Sequence, residues 1–431
     1  MSLKIAVIGA GSFVFGPSVL HQAIVEERLE GAEIALVDLD QEAVEAMAGL
    51  GRRMARDTGI HLEITAHTDR LVALPGAQFV LCSASPQMNK RFAMDREIIA
   101  RCCPAHLVSE FGGVAGISYS LRQIALIEGI TDDMKRLCPD AWLLDISNPL
   151  PRVCQAAHEN GIRTAGFCSV SLSGYGMLWQ LLTGETVDYP YTKPREHWEA
   201  TMAGVNHLCW VVSLRDHAAD EDLLPKIRRR LAEGGTYGSP VSERLTRETG
   251  YPLVPADDHT KDFLVPDGDV RSRVTAWHGS TAERQQRLAD LRAIGEGDAP
   301  WDALLEHEAW EKPIAFAAGI AGIRPTRLHS LNLLNRGQIP NMPPGVYVET
   351  SCLVDENGPQ PETVTLPETV LPYCASAAQV TNAIVRAAHQ RSRALVHEAI
   401  RLDPTVLDKD AGIAAIDVCL EAHADLLPTY S

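Results

Sequence analysis

The chain has 431 residues, 45% hydrophobic and 22% charged, with a formal charge of −17. That length exceeds one ordinary hydrophobic core, so two intimately joined domains are expected, and the composition excludes a disordered or fibrous protein. The acidic balance excludes a nucleic-acid or anionic-membrane partner, which needs a basic face, and no apolar run approaches the ~20 residues that span a bilayer.

Lys4–Ile8 is a short apolar run ending at Gly9, which predicts a first strand entered with no export segment before it. The stripe Val19, Leu20, Ala23 and Ile24 predicts a helix over Pro17–Leu29, and Glu33–Val37 predicts a second strand ending in Asp38. Gln78–Cys82 and Trp142–Ile146 read as buried strands, with a helix over Tyr119–Leu137 between them. This rhythm predicts an α/β fold whose residues 1–150 form a Rossmann-like, doubly wound parallel sheet with ligands at the strands' carboxyl ends.

The pattern changes after Asn148-Pro149. Thr164–Phe167 and Thr201–Leu214 are strand-like, the second long enough for a mixed or antiparallel sheet. Helices are expected at 221–232, 281–294, 375–400 and 411–424, and the polar stretch Gly234–Gly279 reads as loops over a site. Residues 151–431 are thus expected to form an α+β domain that binds substrate and metal and, through apolar residues of its last helices, makes a homodimer or homotetramer. The ten cysteines are scattered without a C-x-x-C pair, which points to reduced thiols and a cytoplasmic location.

Gly9-Ala10-Gly11-Ser12 sits between a strand and a helix. Glycines there let the backbone approach a pyrophosphate, although Val14 replaces the third glycine of the usual pattern and Gly16 follows late. Asp38 stands where a carboxylate grips adenosine ribose hydroxyls and repels a 2′-phosphate, which favours NAD over NADP; the alternative is a tight turn with a solvated aspartate. Cys168, after Gly166-Phe167, offers a thiolate for a metal or a small buried hydrophobe. His207, in Gly204-Val-Asn206-His207, is a second ligand or a satisfied core histidine.

These words occur together with Ser109-Glu110-Phe-Gly-Gly-Val-Ala-Gly116-Ile-Ser-Tyr119, Ile146-Ser-Asn148-Pro149 and Leu334-Asn335-Arg-Gly337-Gln-Ile-Pro-Asn341-Met-Pro. In that order, over nearly the full length, the chain resembles glycoside hydrolase family 4, the NAD-dependent glycosidases that depart from the two-carboxylate mechanism. The resemblance implies a lactate/malate dehydrogenase-like architecture. It also implies Mn²⁺ or a similar cation held by Cys168 and His207, with substrate hydroxyls completing the shell. Asn148 and Asn206 match substrate contacts, and Glu110 matches a glutamate beside the cofactor and metal. A thiolate is a soft partner for Mn²⁺, so such a site would be weak and sensitive to oxidation.

The family chemistry oxidises carbon 3 of the glycosyl ring with NAD⁺, eliminates the aglycone after loss of the carbon 2 proton, adds water, and returns the hydride. Gly250-Tyr251-Pro-Leu-Val-Pro-Ala-Asp257-Asp258-His259 resembles the segment that supplies the base, which points to Asp258 with Tyr251 as runner-up. Ser169 stands where relatives often carry His or Asp after the metal cysteine, so the leaving-group acid is unassigned. Met94-Asp95 places an acid where phospho-sugar-specific relatives tend to carry arginine. That favours an unphosphorylated α-glycoside or an α-galacturonide, whose carboxylate Arg91, Arg96 or Arg324 could meet. The rivals are a lactate/malate-type dehydrogenase and a non-catalytic NAD- or sugar-binding protein.

Overall fold

Six short strands, all but the edge strand β3 buried on nearly every residue, build the parallel half: β1 (Lys4–Ile8), β2 (Glu33–Val37), β3 (Glu63–His67), β4 (Phe79–Cys82), β5 (Trp142–Asp145) and β6 (Arg163–Gly166). Their spatial order, β3-β2-β1-β4-β5-β6, is that of dinucleotide-binding folds, with the topological switch between β1 and β4. The computed structural model describes residues 3–104, 108–255, 258–266, 281–305 and 310–431.

Local chemistry sets the flanking helices. Asp40 accepts the Ala43 N–H at 3.2 Å and so caps helix Gln41–Thr58, which ends at Gly59 in the left-handed region. The helix expected over Pro17–Leu29 is a single α-turn pair, Gly16–His21, continued by a π-turn over Gln22–Glu26. The helix expected from Tyr119 begins earlier, at Gly113, because Asp403 accepts the Gly113 N–H at 2.9 Å and satisfies an otherwise orphaned donor.

Beyond β6 the sheet continues as antiparallel strands. β7 (Trp198–Val205) and β8 (Leu208–Asp216) form a hairpin, followed by β9 (Glu221–Asp222), β10 (Leu253–Val254), β11 (Thr326–Leu334), β12 (Tyr347–Asp355) and β13 (Gly358–Pro361). The order runs on from β6 as β11-β12-β7-β8-β10, so parallel and antiparallel halves share one sheet, joined where Asn332 of β11 faces Gly166 of β6. The single strand expected over Thr201–Leu214 is therefore corrected to two strands. The chain reverses at Asn206-His207, where His207 adopts φ +61, a region that non-glycine residues visit rarely.

Residues on both sides of position 150 share the two largest cores. One gathers Ile117 and Ile124 with Val385, Ile400 and Ile416; the other gathers Ile5 and Leu36 with Phe316 and Val354. The last helices, Leu371–Gln390, Arg393–Leu402 and Lys409–Ala422, pack back on the first half, the expected single helix over 375–400 being broken by Arg391 at φ +51. Many of their apolar residues, among them Val385, Ile400 and Ile416, pack into this chain's own core. Among the described residues, no helix is long and apolar enough to cross a membrane.

Candidate active site

Two groups of side chains meet at the carboxyl ends of the parallel strands. At the first, Gly9 has φ +86, and a Cβ there would lie 2.8 Å from the Ala84 backbone nitrogen. The Gly11 N–H donates to Asp38 Oδ2 at 2.9 Å, and a Cβ on Gly11 would meet that same carboxylate at 2.7 Å. Ser12 Oγ accepts the Phe15 N–H at 3.3 Å. The result is a cradle of bare backbone beside a fixed carboxylate.

At the second, Cys168 follows β6 and His207 occupies the β7–β8 turn, bringing Sγ and Nε2 to 3.6 Å. Burial, with His259 adding, pushes the His207 pKa down to about 3, so the imidazole is neutral. Burial also pushes the Cys168 thiol far up, with the carboxylates of Glu311 and Glu349 adding to the effect. His207 Nδ1 is buried and finds no partner among the described residues. Phe111 lies on the His207 ring at 4.6 Å between centroids, and the His259 ring lies 5.1 Å from His207 and 5.4 Å from Phe111. His259 Nδ1 is 3.3 Å from Asp262 Oδ2.

The loop carrying Glu110 and Phe111 is clamped by Arg152, which donates to the Phe111 carbonyl at 2.5 Å, the Gly116 carbonyl at 3.2 Å and Ser120 Oγ at 2.8 Å. Glu110 is only 2% exposed. Burial raises its pKa to about 7, against the opposing charge of His259 and a hydrogen bond donated by the Asn148 side chain. Asn206, fully buried, donates from Nδ2 to Glu349 Oε2 at 3.3 Å.

The sequence-derived candidates thus fall into two places. Gly9, Gly11, Ser12 and Asp38 form the cradle, whereas Cys168, His207, Asn206, Glu110 and Asn148 converge on one buried centre. Asp258 opens the 3₁₀ turn Asp258–Phe263, but its side chain lies outside the described residues, as does Asp257. Tyr251 precedes β10, whose Leu253 pairs with Trp210, and has Arg228 over its ring.

Met94-Asp95, read as an acid standing where phospho-sugar-specific relatives carry arginine, does not face a substrate. Asp95 is fully buried, 2.7 Å from Arg122 Nη2 and 2.8 Å from His423 Nε2, and ties the last helix to the first half. Arg91 pairs with Asp425 and Arg324 with Glu27, so neither is free for a substrate carboxylate; Arg96 is exposed. Two carboxyl groups were missed. Burial raises the Glu311 pKa, against the opposing effect of backbone groups that include Ser169. Glu349 stands alone in the apolar run Val346-Tyr-Val-Glu349, a buried charge pattern that itself signals a polar partner set.

Two family models match this chain: the family 4 glycosyl hydrolase over residues 4–183 and the family 4 glycosyl hydrolase C-terminal domain over residues 202–406. The chain belongs to family 4 of the glycosyl hydrolases. This family 4 glycosidase is 26% identical to an alpha-galactosidase of Bacillus subtilis, with 99% of each chain covered. It is 24% identical to an alpha-galacturonidase of the same organism, over 94% of this chain and 93% of the other. A 6-phospho-alpha-glucosidase from gut microorganisms, solved with NAD and Mn²⁺, shares the fold with a TM-score of 0.81 at 20% identity, covering 100% of each chain. Malate dehydrogenase from Plasmodium falciparum shares it more distantly, with a TM-score of 0.51 at 12% identity over 91% of this chain and 99% of the other. The Rossmann-like, dehydrogenase-like architecture expected from the sequence is therefore the observed one.

The Glu110 carboxyl gives a pH test of this geometry. Its folded pKa of about 7 lies above the ordinary 4.5, so between those values the folded state keeps a proton that the unfolded state releases, and stability falls as pH rises. Glu110→Gln removes this loss. Its unfolding free energy relative to the unmodified protein should shift in the variant's favour from pH 4.5 to pH 8 by on the order of 3 kcal/mol. Denaturant unfolding at several pH values checks this; a difference that does not change with pH would contradict it.

Proposed function

We propose that this glycosidase cleaves an unphosphorylated α-glycoside or an α-galacturonide, with NAD and a divalent cation such as Mn²⁺ as bound cofactors. The observation that carries the reading is the 3.6 Å approach of Cys168 Sγ and His207 Nε2. Ligands about 2.3 and 2.1 Å from one tetrahedral centre stand about 3.6 Å apart, so the pair fits a shared cation. Among the described residues, no group of three His, Cys, Asp or Glu side chains is placed to hold a metal, which leaves coordination positions for substrate oxygens. The bare backbone at Gly9–Ser12 fits a pyrophosphate, and Asp38 fits a ribose diol.

When bound, NAD supplies a reversible hydride acceptor at carbon 3, and the cation polarises the resulting carbonyl so that carbon 2 becomes acidic. The chain's own groups do the rest. Asn148 and Asn206 hold sugar hydroxyls. Phe111 and the packed His207 and His259 rings exclude water from the centre. Asp258 takes the carbon 2 proton, a role supported by its neighbour His259, whose ring lies against His207, with Tyr251 as the runner-up. Glu311, beside Ser169, occupies the neighbourhood from which a leaving-group oxygen would receive a proton. The unphosphorylated substrate class is supported by the relatives named alpha-galactosidase and alpha-galacturonidase, and no longer by Asp95.

With NAD⁺, Mn²⁺ and a thiol reductant, the protein should release nitrophenol from a nitrophenyl α-galactoside or α-galacturonide without net NADH. Cys168→Ser should lower that turnover by about 100-fold or more while leaving NAD affinity unchanged, read by fluorescence titration. Stoichiometric NADH would instead mark a dehydrogenase, and NAD binding with no aglycone release would mark a binding protein. Asp38→Ala should weaken NAD about tenfold and relax its discrimination against NADP; equal affinity of the unmodified protein for both would overturn the assignment of Asp38.

A further inference from the structure

We propose that Glu349 is a positioning residue that fixes the amide of Asn206 so that its carbonyl oxygen, and not its N–H group, is offered to the substrate. The inference rests on the reading of Asn206 as a sugar contact and names the direction of that contact.

Glu349 is 1% exposed and sits in the middle of β12, opposite Asn332 of β11. Its Oε1 accepts from Ser171 Oγ at 2.6 Å and from Ser330 Oγ at 2.7 Å. Its Oε2 accepts from the amide nitrogens of Asn206 at 3.3 Å and Asn332 at 3.4 Å. An ionised carboxylate only accepts, so each amide must turn its N–H group toward it. The nitrogen and oxygen of an amide are alike in shape, and here the carboxylate decides between them.

The other end of each amide is the consequence. Asn206 Oδ1 and Asn332 Oδ1 are both buried without a partner, an arrangement that costs roughly 1–3 kcal/mol each unless an incoming donor satisfies it. The Asn206 amide nitrogen is held toward Glu349, so only a hydrogen-bond donor can complete its carbonyl oxygen. A sugar hydroxyl is such a donor. Ser330 Oγ, also 3.1 Å from the Cys168 carbonyl, links the same carboxylate to the backbone of the metal-site cysteine.

Glu349→Gln tests this with almost no change of shape. Glutamine can turn its NH₂ group to the asparagines or to the two serine hydroxyls, and in the first arrangement the asparagine amides should rotate and present N–H to the site. A neutron crystal structure of the unmodified protein should place an Asn206 deuteron toward Glu349, and that of the variant shows which arrangement is adopted. Aglycone release from the nitrophenyl substrate should fall about 100-fold or more in kcat/KM, with NAD affinity unchanged and partial recovery in Glu349→Asp. The unmodified protein should bind at least one monodeoxyfluoro methyl α-galactoside at least about tenfold more weakly than the parent sugar, because fluorine cannot donate. Glu349→Gln should remove that preference, which a merely structural role would leave alone. An Asn206 nitrogen facing the site in the unmodified neutron map, or normal kcat/KM in a Glu349→Gln protein whose map shows the Asn206 amide reversed, would overturn the proposal. Absence of any glycoside turnover by the unmodified protein would instead count against the sugar-contact reading, with the neutron map still deciding the amide's direction.

Discussion

The approach of Cys168 to His207 is the constraint on which the rest of the structure depends. The cysteine belongs to the end of the last parallel strand and the histidine to a turn between two antiparallel strands, so neither half of the sheet makes the pair alone. Two strands, β11 and β12, lie between β6 and β7 in the sheet, and their register must hold to bring the two groups to 3.6 Å. The left-handed backbone of His207 is stabilised by that same hairpin. Cores that draw on both sides of position 150 make the two halves one mechanical unit.

Around this pair the electrostatics favour a positive charge. Burial keeps His207 neutral and Cys168 protonated in the isolated chain, and Glu311 and Glu349 hold the thiol further from ionising. Glu110 and Asp262 are likewise pushed upward by burial. A cation held by Cys168 and His207 would reverse that balance, because a coordinated thiol loses its proton and nearby carboxylates would gain a counter-charge.

Much of this was legible in the sequence where the signal is local. β1, β2, β4, β5 and β6 are short apolar runs that end in Gly, Asp or Cys at the ligand face, and the cradle follows from two glycines and Asp38. The hairpin was read as one strand because Asn206-His207 contains no glycine and the flanking residues stay apolar. Long-range partners were not legible. Glu349 acts on Asn206 from 143 positions away, and nothing near either residue announces the pairing. Asp95 was weighed only as an acid in place of a phosphate-binding arginine because its true partner, His423, lies 328 positions on. Arg91 was taken for a free cation for the same reason, since Asp425 lies 334 positions away. Charged residues in a sequence show what chemistry is present; only the fold shows which of them are already spent on one another.

The proposed reaction has one signature that neither simple hydrolysis nor a plain dehydrogenase shares. Elimination removes the proton on carbon 2 and water addition replaces it from solvent. Turnover of the nitrophenyl glycoside in D₂O, with NAD⁺ and Mn²⁺, followed by NMR of the released sugar, reads this directly. Deuterium at carbon 2 of each released sugar is the result required. Sugar released at the full rate with protium at carbon 2 would contradict the oxidation–elimination reading and with it the purpose assigned to the Cys168–His207 pair.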